Sequence, residues 1–229
     1  MLLSPIEAPA EAPSERVDAA SFILSLRARG IRDTAVLSAM ERVRRDLFAP
    51  RRFADLARTD VSLPLPFGQT MTAPSAVATM LVALGAEPNQ RVLEIGTGSG
   101  YVTALLARIG CRVTTIERYA TLAEEAQVRL EVAGADPAIV MGVGNGLVID
   151  LGGKRFERIL VNGAVASVPS ALTSLLAAGG RLVGGLAVEG FPRLVTIERG
   201  EEGGLAQALG PALRLARLIG GRGALKAAA

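Results

Sequence analysis

The sequence predicts an α/β fold, in which a mostly parallel, doubly wound sheet follows a group of N-terminal helices. Three observations predict it. Apolar residues recur at helical spacing through residues 15–58, short apolar runs alternate with helical stretches from Arg91 onward, and a glycine-rich turn joins the first of these runs to the next helix. Alternating strands and helices are typical of βαβ units, whose strands are parallel.

The first third of the chain divides into a tail, two helices and a loop. Residues 1–14 are rich in Pro, Ala and Glu and lack the apolar core of a signal peptide, which predicts a disordered tail. Residues 15–58 carry apolar side chains at steps of three and four, and Gly30 separates the two predicted helices. Residues 59–75 contain three prolines and form a long predicted loop, a kind of segment that is often functional.

A strand, a glycine-rich turn and a helix then form the clearest local signal. Arg91–Ile95 is a short apolar run, and Tyr101–Ile109 has helical spacing. Between them lies Gly96-Thr97-Gly98-Ser99-Gly100, where glycine permits a tight turn and a close approach of the backbone to a ligand. A second strand, Arg112–Ile116, is followed directly by Glu117.

The same alternation continues to about residue 198. The predicted elements are a helix at 121–133, strands at 138–141 and 158–161, a helix at 168–177 that stops at Gly179-Gly180, and strands at 181–185 and 193–198. Residues 205–219 fit a helix or a strand equally well.

Composition excludes several classes of function. The chain has no histidine, which removes Ser-His-Asp and Cys-His triads and histidine-based metal sites, so we expect no metal. Its single cysteine, Cys111, cannot form an intramolecular disulfide and suits the reducing cytoplasm. No run of about 20 apolar residues predicts a membrane span.

The charge balance argues against a nucleic-acid partner. The chain has 25 basic and 22 acidic residues and only 3% aromatic residues, whereas nucleic-acid binding calls for a concentrated basic patch with stacking platforms. The densest basic positions are expected on solvated helix faces. They are Arg42, Arg44, Arg45, Arg51 and Arg52.

The glycine-rich run also predicts a cofactor. A dinucleotide fingerprint reads G-x-G-x-x-G, but here Tyr101 stands where its third glycine would be, which disfavours a nicotinamide-dependent oxidoreductase. The observed pattern, E-x-G-x-G-x-G, is that of S-adenosylmethionine sites. We expect Glu94 to reach the ligand's ammonium region and Glu117 to accept hydrogen bonds from its ribose hydroxyls. The fold is therefore predicted to be that of a Rossmann-like, class I S-adenosylmethionine-dependent methyltransferase.

Several segments resemble protein-L-isoaspartate O-methyltransferases. They are LRARGIRD (26–33), VLSAMERV (36–43), DLFAP (46–50), FGQTMTAP (67–74) and FERILV (156–161), together with the glycine-rich run, Val168-Pro169 and GGRLV (179–183). The likeness covers roughly residues 17–200.

The resemblance implies an enzyme that methylates the carboxylate of L-isoaspartyl residues in peptides or proteins, which is a protein-repair activity. A carboxylate is already ionised at pH 7, so no general base is needed. Thr72 stands where the family has its essential serine, although Thr-x-Pro is also a good helix entry.

The implied site residues fall into two groups. The cofactor-binding group is Gln69, Thr70, Met71, Glu94, Gly96, Thr97, Gly98, Gly100, Glu117, Arg118, Val143 and Gly144. The substrate-binding group is Thr72, which is also the implied catalytic residue, with Asn162, Gly163 and Ala164.

Three positions depart from the family's pattern. The family usually has Gly-Asp-Gly where this chain has Val143 between two glycines, and Asn145 is the nearest polar substitute. Ser75 stands in place of a histidine, and the turn at 162–166 is unusual. Two alternatives therefore stay open: a divergent paralogue that methylates another carboxylate, and a non-catalytic binding protein with the same fold. The oligomeric state, monomer or homodimer, also stays open.

These patterns divide the chain into four parts. They are a tail (1–14), N-terminal helices with an active-site loop (15–75), an S-adenosylmethionine-binding methyltransferase domain (76–220) and a flexible C-terminus (221–229).

Overall fold

A layer of helices precedes the sheet. The computed structural model describes residues 13–136 and 138–219, except for the side chains of residues 13–16. The layer comprises α1 (Pro13–Ala28), α2 (Thr34–Arg42), 3₁₀ turns at Arg45–Leu47 and Arg51–Leu56, and α3 (Pro74–Leu84). The side chain of Asp33 caps α2 by accepting a hydrogen bond from the backbone N–H of Val36. Helix α1 begins inside the predicted tail, and residues 1–12 lie outside the described residues, as do residues 220–229.

The predicted loop at residues 59–75 has a short ladder of its own. Strands β1 (Leu63–Pro64) and β2 (Thr70–Met71) pair antiparallel around a 3₁₀ turn at Pro66–Gly68. Leu63, Leu65 and Met71 are buried and hold this hairpin against the core. The loop is therefore fixed in place, and it brings Thr72, which follows β2, against Asn162 in a central strand of the main sheet.

A seven-stranded sheet forms the centre of the molecule. Its strands are β3 (Arg91–Ile95), β4 (Arg112–Glu117), β5 (Val140–Val143), β6 (Phe156–Val165), β7 (Leu176–Val188), β8 (Phe191–Arg199) and β9 (Leu205–Ala212), in the spatial order β5-β4-β3-β6-β7-β8-β9. The pairs from β5 to β7 are parallel, and β8 and β9 add an antiparallel hairpin edge. The predicted fold class, a mostly parallel sheet with N-terminal helices, is confirmed.

Helices cover both faces of the sheet because side chains alternate along each strand. On β3, Val92 belongs to the core under α1–α3, α4 (Tyr101–Ile109) and α5 (Ala120–Val132), whereas Leu93 belongs to the opposite core. Short helix α6 (Ser170–Ser174) covers that second face through Leu172.

One predicted element is corrected, and one open assignment is resolved. The helix predicted at 168–177 ends early, because Leu175 and Leu176 are both buried and the backbone turns to pair with Phe156 at the start of β6. Residues 205–219 are a strand, β9, followed by an extended segment, residues 213–219, that returns to the carboxyl end of β6. In the described part of the chain, no helix is both long and apolar enough for a bilayer crossing.

Candidate active site

A cavity opens at the carboxyl ends of the parallel strands. The chain runs outward from β3 to β5 and then returns to β6 on the other side of β3, so β3 and β6 flank the topological switch point, where ligands bind in open α/β sheets. The walls come from the loop around β2 (Gln69, Thr70, Met71, Thr72), the turn after β3 (Gly96, Thr97, Gly98, Ser99), the end of β4 (Glu117, Arg118, Tyr119), the turn after β5 (Gly144, Asn145, Gly146, Leu147), and Asn162, Ala216, Leu218 and Ile219.

The cavity is narrow. About 800 Å³ of empty space, counting the open mouth, lies between these walls, but only about 60 Å³ of it can hold the centre of a water molecule. A nucleoside-sized ligand therefore requires some wall side chains to move apart.

The glycine turn and Glu117 are bonded to each other. Gly98 has φ +56°, a left-handed conformation that costs glycine little, and its backbone N–H donates to Oε2 of Glu117 at 2.8 Å. The other carboxylate oxygen accepts from the N–H of Tyr119 at 3.0 Å. An acidic side chain is thus held at the cavity wall where the sequence predicts one.

Glu94 lies beneath the turn and does not line the cavity. It is fully buried, and its Oε2 accepts hydrogen bonds from the hydroxyls of Thr103 and Thr115. The Thr115 hydroxyl also lies 2.6 Å from that of Thr97 in the turn. Burial is the main cause that raises the pKa of Glu94 to about 7. Glu94 therefore supports the turn through a threonine network.

Thr72 faces Asn162 across the cavity. The Thr72 hydroxyl donates to Oδ1 of Asn162 at 3.4 Å, and the Asn162 amide donates to the carbonyl of Gly96 at 3.1 Å. These contacts join the loop that follows β2, strand β6 and the glycine turn after β3. The long first bond leaves the hydroxyl only weakly held.

Thr72 does not cap α3. The N-cap residue is Ala73, which makes no side-chain cap bond, and Oδ1 of Asp60 accepts from the backbone N–H of Ser75 in the first turn at 2.8 Å. Asp60 also forms an ion pair with Arg29 at 3.1 Å. The cap interpretation of Thr72 is therefore wrong, because another side chain fills that role.

Arg45 fixes the backbone of Thr72 and was missed by the sequence analysis. It was expected on a solvated face, but it is buried, and it donates to the carbonyls of Ala57 at 2.7 Å, Val61 at 3.2 Å and Thr72 at 3.0 Å. Burial lowers the pKa of the Arg45 guanidinium. Its neighbours Arg42 and Arg44 are exposed, as expected, so a run of arginines gave no signal of which one turns inward.

Asn145 lines the cavity in the region where Val143 was predicted to. Val143 ends β5 and pairs with Glu117, outside the cavity wall. Gly144 lines the cavity as predicted, and Asn145 does so too, with its Oδ1 accepting from the N–H of Leu147 at 3.1 Å. The polar group available in this turn therefore lies two residues beyond the position that the family pattern marks.

Gly163 and Ala164 contact the chain's own C-terminal segment and do not line the cavity. The N–H of Ala164 donates to the carbonyl of Ala216, and the carbonyl of Ala164 accepts from the N–H of Leu218, both at 2.8 Å. A Cβ on Gly163 would lie 2.6 Å from Cγ of Leu218. Residues 213–219 thus occupy the place predicted for substrate and complete the cavity wall.

Gly100 also serves packing. A Cβ there would lie 3.3 Å from that of Ala126 on α5, so the glycine lets the helix pack against the turn.

The cavity wall contains eleven of the predicted site residues: Gln69, Thr70, Met71, Thr72, Gly96, Thr97, Gly98, Glu117, Arg118, Gly144 and Asn162. The five outside it are Glu94, Gly100, Val143, Gly163 and Ala164.

Two aromatic rings stack beside the cavity. Phe67 and Tyr119 have ring centroids 4.5 Å apart and planes 7° apart, and Phe67 is held at φ +60°. The Arg118 guanidinium lies 5.9 Å from the centroid of the Tyr119 ring and donates to the carbonyl of Ile219 at 3.0 Å, which ties the C-terminal segment to the end of β4.

Sequence comparisons agree with one another. The family model for protein-L-isoaspartate(D-aspartate) O-methyltransferase matches residues 18–213. The chain is 44% identical over 185 residues to the protein-L-isoaspartate O-methyltransferase of Azorhizobium caulinodans, covering 81% of this chain and 83% of the relative. It is 45% identical over 172 residues to the enzyme of the same name from Methylorubrum populi, covering 75% and 80%.

Solved structures share the fold. One is a Plasmodium falciparum structure described as a protein-L-isoaspartate O-methyltransferase in complex with S-adenosyl-L-homocysteine, with a TM-score of 0.76, 21% identity, and coverage of 87% of this chain and 97% of that one. Another protein-L-isoaspartate O-methyltransferase gives a TM-score of 0.77 at 21% identity, covering 90% and 67%. The predicted Rossmann-like fold of class I methyltransferases is confirmed.

Proposed function

Because the chain belongs to the protein-L-isoaspartate(D-aspartate) O-methyltransferase family, we propose that it transfers a methyl group from S-adenosylmethionine to the carboxylate of an isoaspartyl residue in a peptide or protein. The observation that carries the proposal is the position of Thr72. Its hydroxyl faces Asn162 of β6 across the same cavity that the glycine turn and Glu117 line.

The groups that line the cavity match those of the methyl donor. The cavity floor is a turn in which Gly96 and Gly98 have positive φ, a conformation that glycine adopts without strain. The carboxylate of Glu117 provides hydrogen-bond acceptors at the end of the second parallel strand, where ribose hydroxyls bind in doubly wound sheets. Asn145 offers a polar group on the adjoining turn and takes the place expected for Val143.

The proposed methyl transfer requires mainly that the protein align the substrate carboxylate with the methyl donor. S-adenosylmethionine supplies a methyl group on a cationic sulfur. A carboxylate oxygen that is already ionised can bond to this methyl carbon as the carbon–sulfur bond breaks and S-adenosylhomocysteine leaves, so no general base is needed. Thr72 exchanges its weak bond to Asn162 for a bond to one oxygen of the substrate carboxylate, which turns the other oxygen towards the donor. Arg45 holds the Thr72 backbone in place for this exchange. Alignment of this kind contributes on the order of 7–11 kcal/mol to catalysis.

The lack of histidine does not oppose this chemistry. Both reacting groups carry their charges before they meet, so no proton moves in the methyl-transfer step. We also infer a cytoplasmic setting, because the chain has a single cysteine and so no intramolecular disulfide.

Transfer of labelled methyl groups tests the proposal. Purified protein is mixed with donor carrying a labelled methyl and with one of two peptides that differ only in an isoaspartyl or a normal aspartyl linkage. We expect base-labile label on the isoaspartyl peptide and none on its partner. Equal labelling of both peptides, or no labelling by protein that binds the donor, would refute the proposed activity.

A further inference from the structure

A second groove opens beside the cavity that we assign to the methyl donor. It has a volume of about 500 Å³, and its walls include Thr70, Phe191, Pro192, Leu213, Leu215 and Ala216, together with the exposed side chain of Arg214. The N–H of Leu213 donates to the carbonyl of Pro192 at 2.9 Å, which joins the start of β8 to the C-terminal segment. The groove is thus a built feature of two bonded chain segments.

The groove and the donor cavity are continuous. Thr70 and Ala216 line both of them, whereas the other described grooves share no wall residue with the donor cavity. Thr70 is also only two residues from Thr72. A carboxylate that enters the donor cavity on a peptide side chain must leave its backbone outside, and among the described grooves this one shares wall residues with the donor cavity.

The wall of the groove is mainly apolar. Phe191 is 74% exposed at the beginning of β8, directly after a turn in which Glu189 and Gly190 have positive φ. Leu213 is half-buried and Leu215 is buried, so together they provide an apolar floor that an exposed phenyl ring borders. Such a surface favours an apolar side chain of the partner.

Part of this wall lies beyond the match to the family. The family model ends at residue 213, whereas Leu215 and Ala216 belong to the segment after it. The groove therefore includes residues that the family match does not cover.

We propose that this groove binds the residues that flank the isoaspartyl residue and selects peptides with apolar side chains there, with Phe191 as a specificity-determining residue. The proposal rests on the proposed methyltransferase function for its substrate class. It assigns the preference to binding of the peptide, since the groove lies outside the cavity where the methyl is transferred.

Peptide binding to the wild type and to Phe191→Ala tests the proposal. Two isoaspartyl peptides of equal length carry leucine or serine on both sides of the isoaspartyl residue, and calorimetry measures their Kd in the presence of S-adenosylhomocysteine. We expect Phe191→Ala to weaken the leucine peptide about tenfold, or about 1.4 kcal/mol, and the serine peptide less than about twofold. Leu205→Ala, at an exposed position of β9 outside the groove, is the matched control and should change neither Kd.

The outcomes separate this proposal from the proposed function. Equal weakening of both peptides by Phe191→Ala, or no weakening of the leucine peptide, overturns the groove assignment even if methyl transfer proceeds. Label transfer, measured separately, tests the activity. If peptides bind with the expected dependence on Phe191 but accept no methyl group, the groove assignment stands and the proposed methyltransferase activity is refuted.

Discussion

Replacing Glu94 with glutamine should stabilise the protein relative to the wild type increasingly as the pH rises. Glu94 is fully buried, and burial raises the pKa of its carboxyl from 4.5 to about 7. A carboxyl with a higher pKa in the folded state contributes stability that is fully present below pH 4.5 and is lost as the pH rises through about 7. Glutamine has nearly the same shape and no proton to lose, so the variant escapes this loss.

The size of the effect follows from the shift in pKa. A rise from 4.5 to about 7 is roughly 2.5 pH units, and each unit corresponds to about 1.36 kcal/mol, which gives about 3 kcal/mol in full. Between about pH 5 and about pH 8.5 the difference in unfolding free energy between variant and wild type should grow by about 2–3 kcal/mol in favour of the variant. The hydroxyls of Thr103 and Thr115 can still donate to the glutamine oxygen.

Urea unfolding of both proteins, followed by circular dichroism at a series of pH values, measures this difference directly. Taking the difference between variant and wild type cancels the titration of all other groups. Glu124→Gln, the same chemical change at an exposed position of α5, is the control for the substitution itself. A flat profile for Glu94→Gln, or an advantage that grows towards acid, would refute the assignment of the carboxyl as destabilised by burial.

Five further substitutions, at four positions, probe the site. Thr72→Ala should lower kcat at least about a hundredfold while donor affinity stays within about threefold, and Thr72→Ser should preserve turnover; equal turnover of Thr72→Ala and wild type would contradict the role of the hydroxyl. Asn145→Ala should weaken donor binding by about 1–3 kcal/mol, whereas Val143→Asp should leave it unchanged, because Asn145 lines the cavity and Val143 does not. A calorimetric Kd for the donor that changes with Val143→Asp but not with Asn145→Ala would contradict this assignment of the turn. Arg45→Met should cost about 2–6 kcal/mol in urea unfolding, since it leaves the buried carbonyls of Ala57 and Thr72 without their donor, and a loss below about 1 kcal/mol would contradict that accounting.

The sequence predicts best where function depends on neighbouring residues. The strand, the glycine turn and the helix at residues 91–109 form a continuous unit, and Glu117 follows the next strand, so spacing alone places them together. The donor side of the site could therefore be predicted before any coordinates. Glu94, Gly100 and Val143 are the exceptions, because they lie outside the cavity wall; the contact of Gly100 with Ala126, for example, depends on where α5 packs.

Contacts between distant residues could not be predicted in this way. Thr72 and Asn162 are 90 residues apart, and their meeting depends on the hairpin before α3 and on the return of the chain to β6. The inward turn of Arg45 likewise depends on carbonyls up to 27 residues away. No local pattern distinguishes such an arginine from its exposed neighbours.

The C-terminal segment shows the same limit most clearly. Residues 213–219 have no distinctive pattern, yet they bond to Ala164, pack Leu218 against Gly163 and line the donor cavity. The resemblance to the family places substrate at Gly163 and Ala164, and the structure places the chain's own backbone there. A long extended segment can pair with any exposed strand end, so only the folded structure identifies its partner.

A crystal structure of the protein with S-adenosylhomocysteine and an isoaspartyl peptide tests the central claim most directly, through the position of the peptide carboxylate. We expect one carboxylate oxygen at hydrogen-bond distance, about 2.7 Å, from the hydroxyl of Thr72, and the other turned towards the sulfur. A nucleoside bound outside the cavity between β3 and β6, or a sulfur that points away from Thr72, would contradict it.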